Sequence, residues 1–189
     1  MAKTAAFGVF DEEPTKEQPA PKQTLGSFEE EIKETAQDNR YLVFKLAGEY
    51  YATPLLGVRE IVEPQDYKPV PNTMKHFLGV INLRGQIVGL IDLRLRFGLA
   101  SQNKDEQPAL VVFDSPSGPL AALVDRVESV STIHDADIER KPNIQTSIPQ
   151  NYLIGIGKHN KELVSILDLQ KILSADELIS IRNSRNAVG

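Results

Sequence analysis

GVINLRGQIVGLIDLR, residues 79–94, is two apolar runs, GVINL and QIVGLIDL, hinged on Leu83-Arg84-Gly85. Both runs are short and rich in Val, Ile and Leu, and the glycine between them supplies the punctuation of a tight hairpin. The framework returns at residues 155–170, GIGKHNKELVSILDLQ, at an offset of 76: Gly79 meets Gly155, Val88 meets Val164, Asp92 meets Asp168 and Leu93 meets Leu169. The tip itself does not return, since Arg84-Gly85 has no counterpart in KHNKEL.

Upstream, YLVFKL and EYYATPL flank Gly48 and predict another hairpin; downstream come ALVVFD, PLAALV, SVSTI, YLIGIG and ELVSILDL. At an offset of 69, Val43 aligns with Val112, Phe44 with Phe113, Ala52 with Ala121 and Val58 with Val127. The change of offset predicts seven extra residues in the second half, near ERKPNIQTSIPQ. No long amphipathic helix interrupts residues 41–167, so an all-β arrangement of duplicated small barrels is expected rather than a parallel α/β sheet. Ser174 and Glu177 in SADELISIRN form a capping box, and Leu178, Ile179 and Ile181 supply the apolar side of a closing helix.

The leader differs in composition. FDEEPTKEQPAPKQT, residues 10–24, has three prolines and almost no apolar content, which predicts disorder. SFEEEIKETA then pairs Ser27 with Glu30 as a capping box and repeats Phe28, Ile32 and Ala36 at a spacing of four, the pattern of a short helix. Residues 1–40 hold five basic and nine acidic side chains, so most of the net charge of −5 lies there and the rest of the chain is nearly neutral. Without a basic stripe, nucleic acid is not an expected partner. No window is apolar for the roughly 18 residues a spanning helix needs, so membrane insertion is not expected either. The chain has no cysteine, which excludes disulfides and thiolate chemistry and fits a reducing cytoplasm.

Residues for catalysis are hard to find. His76, His134 and His159 stand apart among polar neighbours, no serine sits in a G-x-S-x-G elbow, and GVINLRG has the wrong glycine spacing for a phosphate loop. No metal or other cofactor is therefore expected. Asp92 and Asp168, at equivalent places, invite an acid–base reading. Each ends a strand before a helical turn, LRLRF or LQKIL, so structural caps explain them at less cost. Arg84 does not recur, and a type I turn over Asn82-Leu83-Arg84-Gly85 with Gly85 left-handed would direct it outward. Val58, Arg59, Glu60 and Ile61 mix charged with apolar residues, as protein-binding surfaces do.

YLVFKLAGEYYATPLLGVREIVEP, PNTMKHFLGVINLRGQIVGLIDLRLRFGL and the series ALVVFD, LVDRVESV, YLIGIG and LVSILDL together resemble the CheW-type chemotaxis coupling proteins over residues 40–181. The resemblance implies two interlocked five-stranded SH3-like barrels with short helices and a C-terminal helix, between a leader of residues 1–39 and a tail of residues 182–189. It implies a non-enzymatic scaffold joining the cytoplasmic tips of methyl-accepting chemoreceptors to the regulatory domain of a CheA-type histidine kinase. It carries receptor binding onto Val58, Glu60 and Arg84. Gly79 matches a position of kinase coupling, for which close packing is an equal account. Asn82 and Gly85 belong to the turn. A small-ligand-binding barrel module, using the groove between the halves, is the alternative.

Overall fold

The computed structural model describes residues 39–99, 106–140 and 148–186. The leader, with the expected helix over SFEEEIKETA, lies outside them.

Each half of the chain lays down the same sequence of strands. The first is β1 (Arg40–Leu46), β2 (Glu49–Pro54), β3 (Val58–Val62), β4 (Phe77–Leu83) and β5 (Gln86–Asp92), followed by the one-turn helix α1 (Leu93–Phe97). The second is β6 (Ala109–Ser115), β7 (Gly118–Val124), β8 (Arg126–Thr132), β9 (Leu153–His159) and β10 (Glu162–Leu167), followed by a 3-10 turn (Leu169–Lys171) and α2 (Ala175–Asn186). The helix α2 thus runs past residue 181, the expected end of the domain.

The two five-stranded sheets do not follow the halves. Their orders are β8-β1-β2-β10-β9 and β3-β6-β7-β5-β4, so each sheet takes two strands from one half and three from the other. Raising every strand number by five, counted round, turns one order into the other. Antiparallel pairs dominate, and the halves join through two of them, β1 with β8 and β3 with β6, and through two parallel pairs: Ser165 and Ile166 of β10 lie opposite Tyr51 and Ala52 of β2, and β5 runs beside β7 in the same way. Both sheets curl until their outer strands approach. Glu60 of β3 reaches the β4–β5 tip, and Ser129 of β8 reaches His159 at the end of β9.

Burial on both faces explains why the strands read as continuous apolar runs rather than alternating ones. In β1, Tyr41 and Val43 point into one barrel with Ala52, Val164 and Ile166, while Leu42, Phe44 and Leu46 join the largest apolar cluster. The other barrel is filled by the equivalent positions, among them Leu110, Val112, Ala121, Val88 and Leu90. The largest cluster lies between the barrels, where Phe44, Tyr51, Phe97 and Tyr152 form a chain of rings with centroids 6.2–6.4 Å apart. Such ring pairs add to the stabilisation that burial of their area gives.

One ionic contact also crosses between the barrels. Arg94 of α1 and Asp125, which joins β7 to β8, are 8% and 2% exposed, with Nη1 3.1 Å from Oδ1. The other carboxylate oxygen of Asp125 accepts from Ala47 N–H at 2.7 Å in the β1–β2 turn. A buried charge is tolerable only when paired in this way.

Candidate protein-docking site

The VREI and NLRG segments, 20 or more residues apart in sequence, meet where one barrel closes. Arg84 Nη2 lies 3.1 Å from Glu60 Oε2, with the arginine side chain 73% exposed and that of the glutamate 20%. The buried Oε2 has this ion pair but no well-aligned hydrogen bond, so one face of the guanidinium is pinned while the rest stands in solvent.

The backbone at the tip differs from the expected type I turn. Leu83 pairs with Gln86, and the two residues between them, Arg84 and Gly85, have φ of +51° and +85°. Two left-handed residues are the mark of a type I′ turn, whose twist matches that of the flanking strands. Asn82 Oδ1 accepts from Gly85 N–H at 2.8 Å and closes it. At the second tip Asn160 and Lys161 also have positive φ, and there Asn160 Nδ2 lies 3.0 Å from His159 Nε2. Both tips turn alike, but only the first presents a cation held by a carboxylate.

Val58 is not on this surface. It is 6% exposed and part of the central apolar cluster. Strict alternation would put Val58 and Glu60 on one face, but Val58 pairs with Phe113 and Glu60 with the adjacent Val112, so Arg59 is an extra, bulged residue. The bulge lets Val58 and Ile61 turn inward while Glu60 reaches the edge. Arg59 extends outward and pairs with Asp114 at 3.2 Å.

Gly79 sits under the segment that joins β3 to β4. Its φ is +151°, and an added Cβ would lie 2.1 Å from the Lys68 carbonyl oxygen, because Lys68 and Val80 exchange backbone hydrogen bonds of 2.9 Å directly over it. The same device recurs at Gly155, where a Cβ would lie 2.8 Å from the Glu139 carbonyl oxygen beside the Glu139–Ile156 bridge. A need that recurs with the architecture is a packing need.

The two aspartates recur as well. Asp92 Oδ1 accepts from Arg94 and Leu95 N–H at 2.8 and 3.2 Å at the start of α1, and Asp168 Oδ1 accepts from Gln170 N–H at 3.1 Å. Asp168 also holds Lys171 Nζ at 2.8 Å.

Sequence reasoning missed a cluster at the end of α1. Arg96 makes a two-pronged contact with Glu177 of α2 at 2.8 and 3.0 Å, donates to the Ile172 carbonyl at 2.9 Å and to Tyr152 Oη, and lies 3.5 Å from His76 Nε2. His76, far from standing alone, is 9% exposed and lies 3.2 Å from Glu177 Oε1. Burial, and then the Arg96 cation, push its pKa below the ordinary value of 6.5. For Glu177 burial alone would raise the pKa, but the Ser174 N–H, Arg96, the Ser174 hydroxyl and His76 bring it down. Ser174 N–H and Glu177 Oε2 are 2.7 Å apart, with Glu177 N–H returning to Ser174 Oγ at 3.3 Å. Of the apolar residues expected to seat α2, Leu178 and Ile181 are buried, whereas Ile179 is 57% exposed. Spacing alone could have suggested Arg96 only as a partner for some carboxylate.

Among the described residues no three His, Asp or Glu converge as a metal site, and no helix is long and apolar enough to cross a membrane. A hollow beside β2, β9 and the turn after β10, lined by Thr53, Pro54, Gly57, Ile154, Asp168, Leu169 and Gln170, has a volume of about 180 Å³. Small-molecule sites usually enclose ~300–1,000 Å³, so this hollow is smaller than the ligand-binding alternative calls for.

The fold is one of two cross-assembled SH3-like barrels, and the closure of one of them carries a charged, solvent-facing pair. The family model described as CheW-like domain matches residues 40–177. Chemotaxis protein CheW of Helicobacter pylori is 36% identical over 153 residues, 81% of this chain and 90% of that protein. Chemotaxis protein CheW of Treponema pallidum is 30% identical over 146 residues, 75% of this chain and 86% of that one. The crystal structure of scaffolding protein TtCheW from Thermoanaerobacter tengcongensis superposes with a TM-score of 0.68 at 28% identity, covering 76% of this chain and 93% of that one. The chain belongs to the CheW-like domain family, the scaffold family of chemotaxis.

Proposed function

We propose that this chain is a non-enzymatic scaffold that couples the cytoplasmic tips of methyl-accepting chemoreceptors to the regulatory domain of a CheA-type histidine kinase. It would work in the cytoplasm at membrane-associated receptor arrays. The observation that carries the reading is the Glu60–Arg84 pair at the barrel closure, a mostly exposed guanidinium held in place by a carboxylate. Glu60 and Arg84 contact the receptor in this reading, Val58 anchors the strand that positions them, and Gly79 serves the packing that keeps β4 in line.

A charge swap tests it. An exposed ion pair adds at most about 1 kcal/mol to folding. Charge reversal in an interface that excludes water costs ~2–5 kcal/mol. Glu60→Arg and Arg84→Glu should each weaken binding of a receptor fragment at least tenfold, and the double swap should restore the internal pair without restoring binding. Recovery of binding in the double variant would show that the pair matters only to the barrel. Lys161→Glu, at the other tip, should bind like wild type and so controls for net charge.

A further inference from the structure

The bulge in β3 has a second effect on the charged closure. Val112 and Asp114 stand two positions apart on β6, so their side chains share one face of the sheet. Glu60 lies opposite Val112, and Arg59 Nη1 reaches Asp114 Oδ1 at 3.2 Å. Both bulge residues therefore serve that face, where regular alternation would send one of them to the other side. Because Arg84 meets Glu60 from the β4–β5 tip, four charges stand in a row. Asp114, Arg59, Glu60 and Arg84 alternate in sign across β6, β3 and the tip.

Exposure along the row is uneven. Glu60 is largely covered, whereas the arginine side chains that flank it, Arg84 and Arg59, are 73% and 41% exposed. Each arginine meets its carboxylate through one terminal nitrogen, and a guanidinium carries donors on all three of its nitrogens in a planar fork. Either one can therefore hold its own carboxylate and a second one from outside at the same time. Asp114, with a side chain 67% exposed, leaves the Arg59 pair open to water, and an ion pair that open contributes little to folding. Removing the Arg59 charge thus tests recognition without endangering the fold.

We propose that Arg59 is a further receptor-contact residue, which forms with Arg84 a two-cation clamp for carboxylates on the receptor tip, and that Asp114 holds Arg59 in place in the unbound chain. The proposal rests on the docking function given above and names the chemistry of its partner: two acidic side chains on one side of a helix. Side chains three or four positions apart on a helix stand about 5–6 Å from each other, a spacing that two long arginines on either side of one glutamate can meet. The order of charges also restricts how the helix sits. A carboxylate placed beyond Arg59 meets Asp114 and is repelled, so the row favours one register of the partner.

The experiment measures binding of a chemoreceptor-tip fragment to the full chain and to its Arg59→Gln, Arg84→Gln and Asp114→Asn variants, with a thermal melt of each. Arg59→Gln should weaken binding roughly threefold to tenfold at low salt, and the difference from wild type should shrink as salt screens the contact. Asp114→Asn leaves the cation in place and should stay within about threefold of wild type. A receptor fragment with its tip carboxylates changed to amides should bind wild type and Arg59→Gln alike. Wild-type affinity in Arg59→Gln, alongside a loss in Arg84→Gln, overturns the clamp and leaves the docking function standing. A loss in Asp114→Asn equal to that in Arg59→Gln also overturns it, because the pair then acts only as a unit within the sheet. If the wild-type chain binds no receptor fragment, the coupling function and the clamp fall together.

Discussion

Glycine at two positions of the β4–β5 hairpin does two different jobs. Gly85 has φ +85° and nothing within 4 Å of an added Cβ, so Gly85→Ala meets only the conformational cost of a left-handed alanine, about 1 kcal/mol. Gly79→Ala adds a carbon 2.1 Å from a backbone oxygen that cannot move without breaking the Lys68–Val80 bridge, so the loss should exceed about 2 kcal/mol. Denaturant melts of the two variants check the contrast, and equal losses would refute it. Asp168 gives a finer test: asparagine should cap nearly as well, while Asp168→Ala should cost about 1 kcal/mol. The aspartate caps were legible in the sequence because a cap is a local event within four residues. Val58 was misjudged because alternation, the only guide a sequence offers, is broken by a bulge that depends on the partner strand.

The strands could be found from their apolar runs, and the capping box of α2 from its serine and glutamate. What α2 rests on could not be found, since Arg96 and Glu177 are brought together only by folding. That latch should respond to acid. An imidazole in the unfolded chain titrates near ~6.5, while His76 in the folded protein takes up its proton at lower pH. Above that range the residue is neutral in both states and adds no pH dependence; below it the unfolded state binds the extra proton and stability falls. Glu177, with its pKa lowered, adds a second loss as pH drops through the carboxylate range. The melting temperature should therefore decline from about pH 6.5 downward, and His76→Gln should flatten the upper part of that decline while leaving the part below about pH 4.5. A profile of the His76→Gln variant that overlays wild type would show that the imidazole is not the sensor. Glu177→Gln should cost more than about 2 kcal/mol at neutral pH, because Arg96 loses a partner in a largely buried site.

The duplication was visible in the sequence through pairs such as Val43 with Val112 and Ala52 with Ala121, and these are barrel-interior positions, where volume is most tightly constrained. The exchange of strands between barrels was not visible in the residues themselves; only the family resemblance implied it. Pairing between distant strands leaves no mark in local spacing. It has a large consequence for folding. Fragments 39–104 and 105–189 each hold complete hairpins but only two or three strands of either sheet, so each alone should lack a folded far-ultraviolet and NMR signature, and an equimolar mixture should regain it. Independent folding of either fragment would contradict the described topology. Arg94→Met should destabilise the whole molecule by about 3–5 kcal/mol, since it leaves the buried Asp125 carboxylate with the Ala47 N–H but without its charge partner.

The cross-assembly also bears on ancestry. A single repeat, released as a chain of its own, would find its missing strands only in another copy of itself, and two copies related by a twofold axis would rebuild both sheets. The present chain has the form of such a homodimer with its subunits fused end to end between Leu99 and Ala109. Fusion frees the two members to diverge. One tip sets its asparagine side chain against His159, while the other holds an arginine on the Glu60 carboxylate, a pair that a symmetric dimer would have had to display twice.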